Sequence, residues 1–487
     1  MNKVSLLALS MGVMMVGTEL EARSFEVAVW RGETTAARVP DFAELGPAPE
    51  GIGVKVGVLE PVRYAPQPES LELRAAYDRV KWGGGGVGPR VVEVSVPADA
   101  KPGVYACGHM NVRVVDRVLP PAKDWKFFLD LWQHPWATAR YHGVKPFSKE
   151  HYEKMRPDWE LLASAGQKTI TTTILPEAWD HQCRDAYGTM IGRVKRADGT
   201  WSFDYSVFDA YVAFCRSCGL GPEICCYTMC PWGYVVRWQD EKGVTQSCVA
   251  KPGTREFEEY WGPFLDDFAR HLKAKGWLKK TYISMDERTI EDVKLIGEFI
   301  RKHIPEMRIS MAGNHLPSEY GVEIDDFCMI LGKEISSEYL AEAAARRKKG
   351  QVTTFYVCCG PTRPNTFMRS GAGEAFWLGA YPAMVGLDGF LRWAWNSWPT
   401  DPRTDASFGD WHAGDTFLCY PDGEPSWRFL ELRNGIVAAE KVRILRERGL
   451  LEDELAKVAA RYSAVDAVAG KCDFQAIRRE TLAVVNK

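Results

Sequence analysis

The chain is 487 residues long, with 46% hydrophobic residues, 26% charged residues and a formal charge of −3. That length calls for two or three domains, and the slightly acidic balance argues against a nucleic-acid partner or a polybasic membrane contact. Aromatic residues are plentiful, with 18 Trp, 18 Tyr and 21 Phe, and indoles serve both as core filling and as stacking surfaces for pyranose rings. The first segment, MNKVSLLALSMGVMMVGTELEARS, places one Lys before an apolar stretch from Val4 to Gly17. Residues 1–23 read as a signal peptide too short to span a bilayer, which implies a secreted or periplasmic protein, although no A-x-A site precedes Ser24. No later stretch is long and apolar enough for a transmembrane helix.

Residues 24–119 carry short β-like runs, FEVAVW, GVKVGVLE, RVVEVSV and VRVVDRVL, broken by four glycines at 83–86 and by PADAKPG at 97–103. With no helix of useful length among them, they predict a small antiparallel β-sandwich, and Pro120-Pro121 reads as the linker that follows. From there the pattern alternates. Candidate strands are 126–132, 168–174, 222–227, 280–285, 307–311, 326–330, 352–357 and 389–395. Helical periodicity lies between most of them, most clearly from Thr254 to Gly276, and also over 149–165, 205–219, 289–303, 335–349, 372–385 and 426–446. The connection between the fifth and sixth strands has room only for a short helix near Pro317 to Val322. Eight such units over 120–446 predict a (β/α)8 TIM-type barrel, so the fold class is α/β, with a helical C-terminal tail over 447–487.

Thirteen cysteines leave at least one thiol without a partner in the chain. Cys225-Cys226 and Cys358-Cys359 fall in strand-like runs, which suits buried thiols. Cys215-Arg-Ser-Cys218 lies in a helical pattern with no second ligand pair at metal-binding spacing, so neither a metal nor a cofactor is expected.

In a barrel of this kind chemistry gathers where the strands finish. The predicted strand ends carry Trp132, His134 and Trp136, then Glu177 and Trp179, then Trp232. After these come Asp286-Glu287-Arg288, Asn314, Cys359-Gly360, and the run Arg392-Trp393-Ala394-Trp395-Asn396-Ser397-Trp398. Stacking surfaces beside hydrogen-bonding side chains and an acid pair suit a carbohydrate site. In the stretch TYISMDERTIED, the pattern Thr289-Ile290-Glu291-Asp292 is a helix-capping signal. Asp286 and Glu287 precede that cap and need another explanation. Ordinary glycosidases hold two carboxyls about 5–9.5 Å apart on opposite sides of the sugar. Neighbours on one strand end more naturally share a side. That suits substrate-assisted hydrolysis, in which the 2-acetamido oxygen attacks the anomeric carbon to form an oxazolinium ion. One acid then protonates the leaving oxygen while a carboxylate holds the acetamido N–H.

The stretch MDER, the segment DRVLPPAKDWKFFLDLWQHPWATARYH and the run PNTF…DGFLRWAWNSW…WHAGDTFLCYPDG closely resemble glycoside hydrolase family 123. The resemblance covers nearly the whole chain after the N-terminal segment. It implies a β-sandwich before a (β/α)8 barrel and a retaining exo-β-N-acetylgalactosaminidase that uses no metal. The substrate it implies is an oligosaccharide or glycolipid glycan with terminal β-N-acetylgalactosamine. It also implies that Glu287 is the general acid/base and that Asp286 orients the acetamido group.

For Glu287 to be protonated at working pH, burial and the Asp286 charge should raise its pKa, and Arg288 is expected to point away. Of the strand-eight indoles, Trp395 and Trp398 are the favoured sugar contacts. Asn396 and Asn314 are candidate polar partners, and Trp132, His134 and Trp232 candidate cleft walls. Tyr356 is either a partner of the acetamido carbonyl or an inward barrel-core residue. Two other readings fit the same residues: a hexosaminidase of different specificity, and a carbohydrate-binding protein that keeps the cleft without turnover.

Overall fold

The computed structural model describes residues 23–487 except 69, 84 and 333, so the leader expected at 1–23 lies almost entirely outside the described residues. The N-terminal sandwich has two sheets. In one, Gly53–Tyr64 lies between Arg90–Ser95 and Arg74–Trp82, with Thr34–Arg38 on the far side of Arg90–Ser95; in the other, Met110–Val118 lies between Phe25–Arg31 and Gly103–Cys107. Alternate residues such as Val27, Val29, Val92, Val94, Val112 and Val114 form the core shared by the two sheets, as the two-residue period of strands requires.

One pairing departs from the antiparallel expectation, because Phe25–Arg31 runs parallel to Met110–Val118. Only strands joined by a tight turn are obliged to run antiparallel, and these two are separated in sequence by the entire other sheet. The sandwich is seated on the helix Trp427–Glu447 by buried charge. Arg428 Nη2 lies 3.0 Å from Asp78 Oδ2, which also accepts the Tyr420 hydroxyl at 2.7 Å, and Lys441 Nζ lies 2.6 Å from Glu33.

The eight barrel strands are Phe128–Leu131, Thr169–Thr173, Glu223–Tyr227, Thr281–Met285, Arg308–Gly313, Asp326–Ile330, Val352–Tyr356 and Gly389–Arg392. Consecutive strands pair in parallel from the second round to the eighth, and the eighth pairs with the first. The seam between the first and second strands carries a single backbone bridge, Leu129 to Gln167. Side-chain amides complete it: Gln167 Oε1 accepts the Leu131 N–H at 3.0 Å and Gln133 Oε1 accepts the Thr171 N–H at 2.9 Å. Where the eighth strand closes on the first, residue 389 must be Gly, because a Cβ there would collide with the Phe128 carbonyl.

Helices Lys149–Ala163, Ser206–Ser217, Arg255–Lys275, Ile290–His303, Ser337–Lys348, Ala372–Val385 and Trp427–Glu447 follow the strands, and the fifth connection is reduced to the single turn Pro317–Tyr320. Thr289 caps the fourth-strand helix, its Oγ1 accepting the Asp292 N–H at 3.1 Å. The cap therefore begins after Asp286 and Glu287 and leaves both carboxylates in the strand-end loop. Two features depart from the sequence reading. Strands Gly192–Lys195, Trp201–Asp204, Val235–Asp240 and Thr245–Val249 form an extra four-stranded sheet built from the loops after the second and third barrel strands. The C-terminal tail, whose amphipathic pattern from about Leu450 suggests one or two helices, forms three short ones, Glu452–Ala459, Ala464–Val468 and Phe474–Val485. Among the described residues no helix is long and apolar enough to cross a membrane.

Candidate active site

A cavity of about 220 Å³ opens at the ends where the barrel strands finish, with Asp286 and Glu287 in its wall. Trp132, Ala312, Tyr356 and Leu391 bring the ends of the first, fifth, seventh and eighth strands to it. Larger cavities of about 380 and 400 Å³ lie elsewhere. One sits against the extra sheet and the other beside Phe127 and Asp388, where strands begin; residues at that end of a barrel serve stability.

The acid pair is held in two ways. Trp232 Nε1 donates to Asp286 Oδ2 at 3.3 Å, and the Tyr356 hydroxyl donates to Glu287 Oε1. Burial raises the Asp286 pKa against the opposing pull of the Glu287 backbone N–H, Arg288 and Trp232. Burial also raises Glu287; the Tyr356 hydroxyl and Arg288 oppose that rise, and the Asp286 charge adds to it. Both carboxyls therefore hold a proton to higher pH than free ones, and two interacting acids release their protons in two steps that belong to the pair. The singly protonated pair offers a proton donor and a carboxylate on one wall.

Arg288 lies outside the cavity lining. Its guanidinium stacks 3.9 Å from the centre of the Trp232 ring, and from there its charge still pulls both acids downward.

Tyr356 moderates the rise that burial imposes on the Glu287 pKa. Its hydroxyl favours the ionised carboxylate, and its own pKa is driven upward by burial and by the Glu287 charge, so it remains a donor. Tyr356→Phe removes that donor and must raise the Glu287 pKa. The expected result is a displacement of the high-pH limb of kcat/KM toward higher pH, read from a pH–rate profile. An unmoved limb would separate Tyr356 from the titration.

Indoles form the rest of the wall. Trp132 packs on Trp179 and Tyr227, with ring centres 5.0 and 4.6 Å apart. Trp393 meets Trp411 edge to face at 5.5 Å, and Trp411 Nε1 donates to the Gln182 carbonyl at 2.9 Å. Trp393 Nε1 donates to Asp415 Oδ1 at 2.9 Å, and Asp415 is in turn held by Arg392 at 2.7 Å in a fully buried ion pair.

The expectations for Trp395, Trp398, Asn396, His134 and Asn314 need correction. Trp395 and Trp398 are fully buried, one against Phe429 and the other with Nε1 donating to the Cys419 carbonyl at 2.7 Å. A buried indole withdraws about 150–250 Å² from water, a stabilisation of about 4–6 kcal/mol that would be lost if it swung into a cleft. His134 is buried and stacked on Tyr187, its Nε2–H donating to the Asp185 carbonyl at 3.0 Å, and burial pushes its pKa down to about 3, so it stays neutral. Asn314 is exposed beyond the fifth strand and outside the lining.

Asn396 accepts the His134 backbone N–H at 2.8 Å and donates to the His134 carbonyl and to Thr138, each at 3.1 Å. Asn396→Ala is therefore expected to cost about 1–3 kcal/mol of stability, read as a lowered denaturant midpoint. A raised KM at unchanged stability would restore the sugar-contact reading.

The cavity also contains residues that the sequence reading did not select as sugar contacts, among them Trp393, Trp411 and Gln182. Trp393 follows Leu391 by two positions, immediately after the eighth strand ends at Arg392, and that spacing is a usable signal. Gln182 and Trp411 sit in loops with no periodicity to place them. Cys358 and Cys359, expected to be buried in a strand, follow the last strand residue, Tyr356, and line the cavity; Cys359 is exposed.

Residues 132–445 match the family described as Glycoside hydrolase 123, catalytic domain. The fold is similar to that of a family 123 glycoside hydrolase from Clostridium perfringens, whose structural analysis concerns glycolipid glycan hydrolysis. The two chains are 22% identical with a TM-score of 0.81, over 95% of this chain and 93% of that one. A chitinase catalytic domain from Pyrococcus furiosus is a distant match, at 10% identity and a TM-score of 0.33 over 66% of this chain and 98% of that one. No curated protein matches the sequence.

Proposed function

The chain belongs to glycoside hydrolase family 123, and on that premise we propose that it removes terminal β-linked N-acetylgalactosamine from a glycan, with retention, through an oxazolinium intermediate. The observation that carries this reading is the position of the acids. Among the described residues lining the cavity, Asp286 and Glu287 are the only carboxylates, and they are sequence neighbours on one strand end. Among the described residues no further acid lines the cavity to act as nucleophile or to activate water from the opposite side, and in this reading the substrate's own acetamido oxygen takes that role.

In this scheme Asp286, fixed by Trp232, accepts the acetamido N–H. It aligns the carbonyl oxygen with the anomeric carbon and balances the positive charge of the forming ring. Glu287 delivers its proton to the departing glycosidic oxygen and then takes one from the water that opens the oxazolinium. Two bonds change in each half: the internal C–O bond forms as the glycosidic bond breaks, then water adds as the ring opens. Trp393, part-exposed in the wall, is the face proposed for pyranose stacking, while Trp132, buried against Trp179 and Tyr227, backs the wall. A glycolipid-type glycan is the proposed substrate class, in line with the glycolipid glycan hydrolysis studied in the Clostridium perfringens enzyme.

The test is hydrolysis of a chromogenic β-N-acetylgalactosaminide beside the matching glucosaminide and the β-galactoside, which lacks the acetamido group. Turnover confined to the galactosaminide supports the reading. Equal turnover of the galactoside would remove the acetamido group from the mechanism, and preference for the glucosaminide would overturn the sugar assignment.

A further inference from the structure

Directly after the seventh strand, two adjacent thiols stand in the wall of the cavity that holds the acid pair. Cys358 and Cys359 both line it, with their Sγ atoms 3.8 Å apart. Of the thirteen cysteines, Cys359 is the exposed one, and the others are part-buried or buried. The turn is braced from both sides: the Cys358 N–H donates to the Gly360 carbonyl at 3.0 Å, and Asn365 Nδ2 donates to the Cys358 carbonyl at 2.9 Å. Tyr356, the donor to Glu287, lies two residues before the pair.

We infer that Cys358 and Cys359 form a dithiol modification site, which small-molecule disulfides oxidise to a ring that suppresses turnover in the adjoining site. The chemistry starts at the exposed thiol. The neighbouring Cys358 thiol, in contact at 3.8 Å, lowers the Cys359 pKa, against the opposing effects of burial and of the Asp415 and Glu287 charges. An accessible thiolate is the form that attacks a disulfide. Cys359 displaces one thiolate from RS–SR and becomes a mixed disulfide. Cys358 then loses its proton and attacks the Cys359 sulfur, expelling the second thiolate. Two protein thiols and one RS–SR become one intramolecular disulfide and two RSH, so atoms and electrons balance without a further reagent.

Neighbouring Cα atoms stand about 3.8 Å apart across a trans peptide, short of the roughly 4.4–6.8 Å that ordinary disulfides span. Ring closure therefore strains the turn, and added thiol reopens it. The strain acts on the backbone that positions the Tyr356 hydroxyl on Glu287 and draws both sulfurs into new positions in the cavity wall. The effect on turnover depends on the hydrolase function proposed above; the thiol chemistry does not.

The experiment incubates the full chain with oxidised glutathione, maps its peptides without reduction, and measures hydrolysis before and after treatment and again after dithiothreitol. Cys358→Ser and Cys359→Ser are carried alongside, and the readout is each protein's own treated-to-untreated activity ratio. The expected result is a Cys358–Cys359 disulfide in the wild type, loss of most turnover, recovery on reduction, and a ratio near unity for both variants. A stable glutathione adduct on Cys359 without the ring, a ring that leaves turnover unchanged, or equal loss in the Ser variants would each overturn the inference. Peptide mapping needs no turnover, so a protein inactive on every hexosaminide fails the functional reading while the mapping still decides the thiol chemistry.

Discussion

Replacing Glu287 by Gln is expected to lower kcat on a β-N-acetylgalactosaminide by about 10²–10⁴-fold, the range for loss of a general acid/base. Gln keeps the shape of the side chain and retains an oxygen that can accept the Tyr356 hydroxyl, so the fold should be spared and the loss should fall on proton transfer. The leaving group provides the internal control. An alkyl or sugar leaving group needs the Glu287 proton and should show the full deficit. A strongly activated aryl leaving group departs without it, so its first step should be much less affected. A deficit of equal size for both would mean that the Glu287→Gln change damages the site's geometry and that Glu287 is not the acid.

Asp286→Asn is expected to cost about 10²-fold or more, by a different route. The amide still accepts from Trp232 Nε1 but no longer offers a negative charge to the acetamido N–H or to the developing oxazolinium. An internal nucleophile misplaced by as little as about 1 Å loses on that scale. The residual activity carries a second signature. The Asp286 charge helps raise the Glu287 pKa, so removing it should move the high-pH limb of the rate profile downward. That shift is opposite in sign to the one expected for Tyr356→Phe, where a hydrogen bond favouring ionised Glu287 is lost. Shifts of the same sign in the two variants would contradict the electrostatic assignment of both residues.

The acid pair was legible because an apolar strand stops at Met285 and the Thr289 cap lies too far along to claim Asp286 and Glu287. Barrel strands were legible for a similar reason: buried on both faces, they read as short apolar or β-branched runs between amphipathic helices. The indoles after the eighth strand were misread because alternation holds only while the strand continues. The strand ends at Arg392, after which the Trp395 N–H donates to the Trp132 carbonyl at 2.8 Å and Asn396 bridges Phe417. The chain thus turns inward across the first strand, and Trp395 and Trp398 go into the core. The extra sheet escaped notice because Thr245–Val249 is almost wholly exposed and carries no apolar alternation. The parallel pairing of Phe25–Arg31 with Met110–Val118 depends on a contact between distant segments, which no local pattern encodes.

The central claim is that the nucleophile belongs to the substrate. Its most direct measurement is the rate of wild-type hydrolysis across aryl β-galactosaminides whose N-acetyl group carries zero, one, two or three fluorines. Fluorine withdraws electrons from the acyl oxygen while changing its size little. If that oxygen attacks the anomeric carbon, the rate should fall steeply and monotonically with each fluorine. A rate independent of fluorination would show that the acyl oxygen takes no part in the rate-limiting step and would contradict the assignment of Asp286 as its positioning partner.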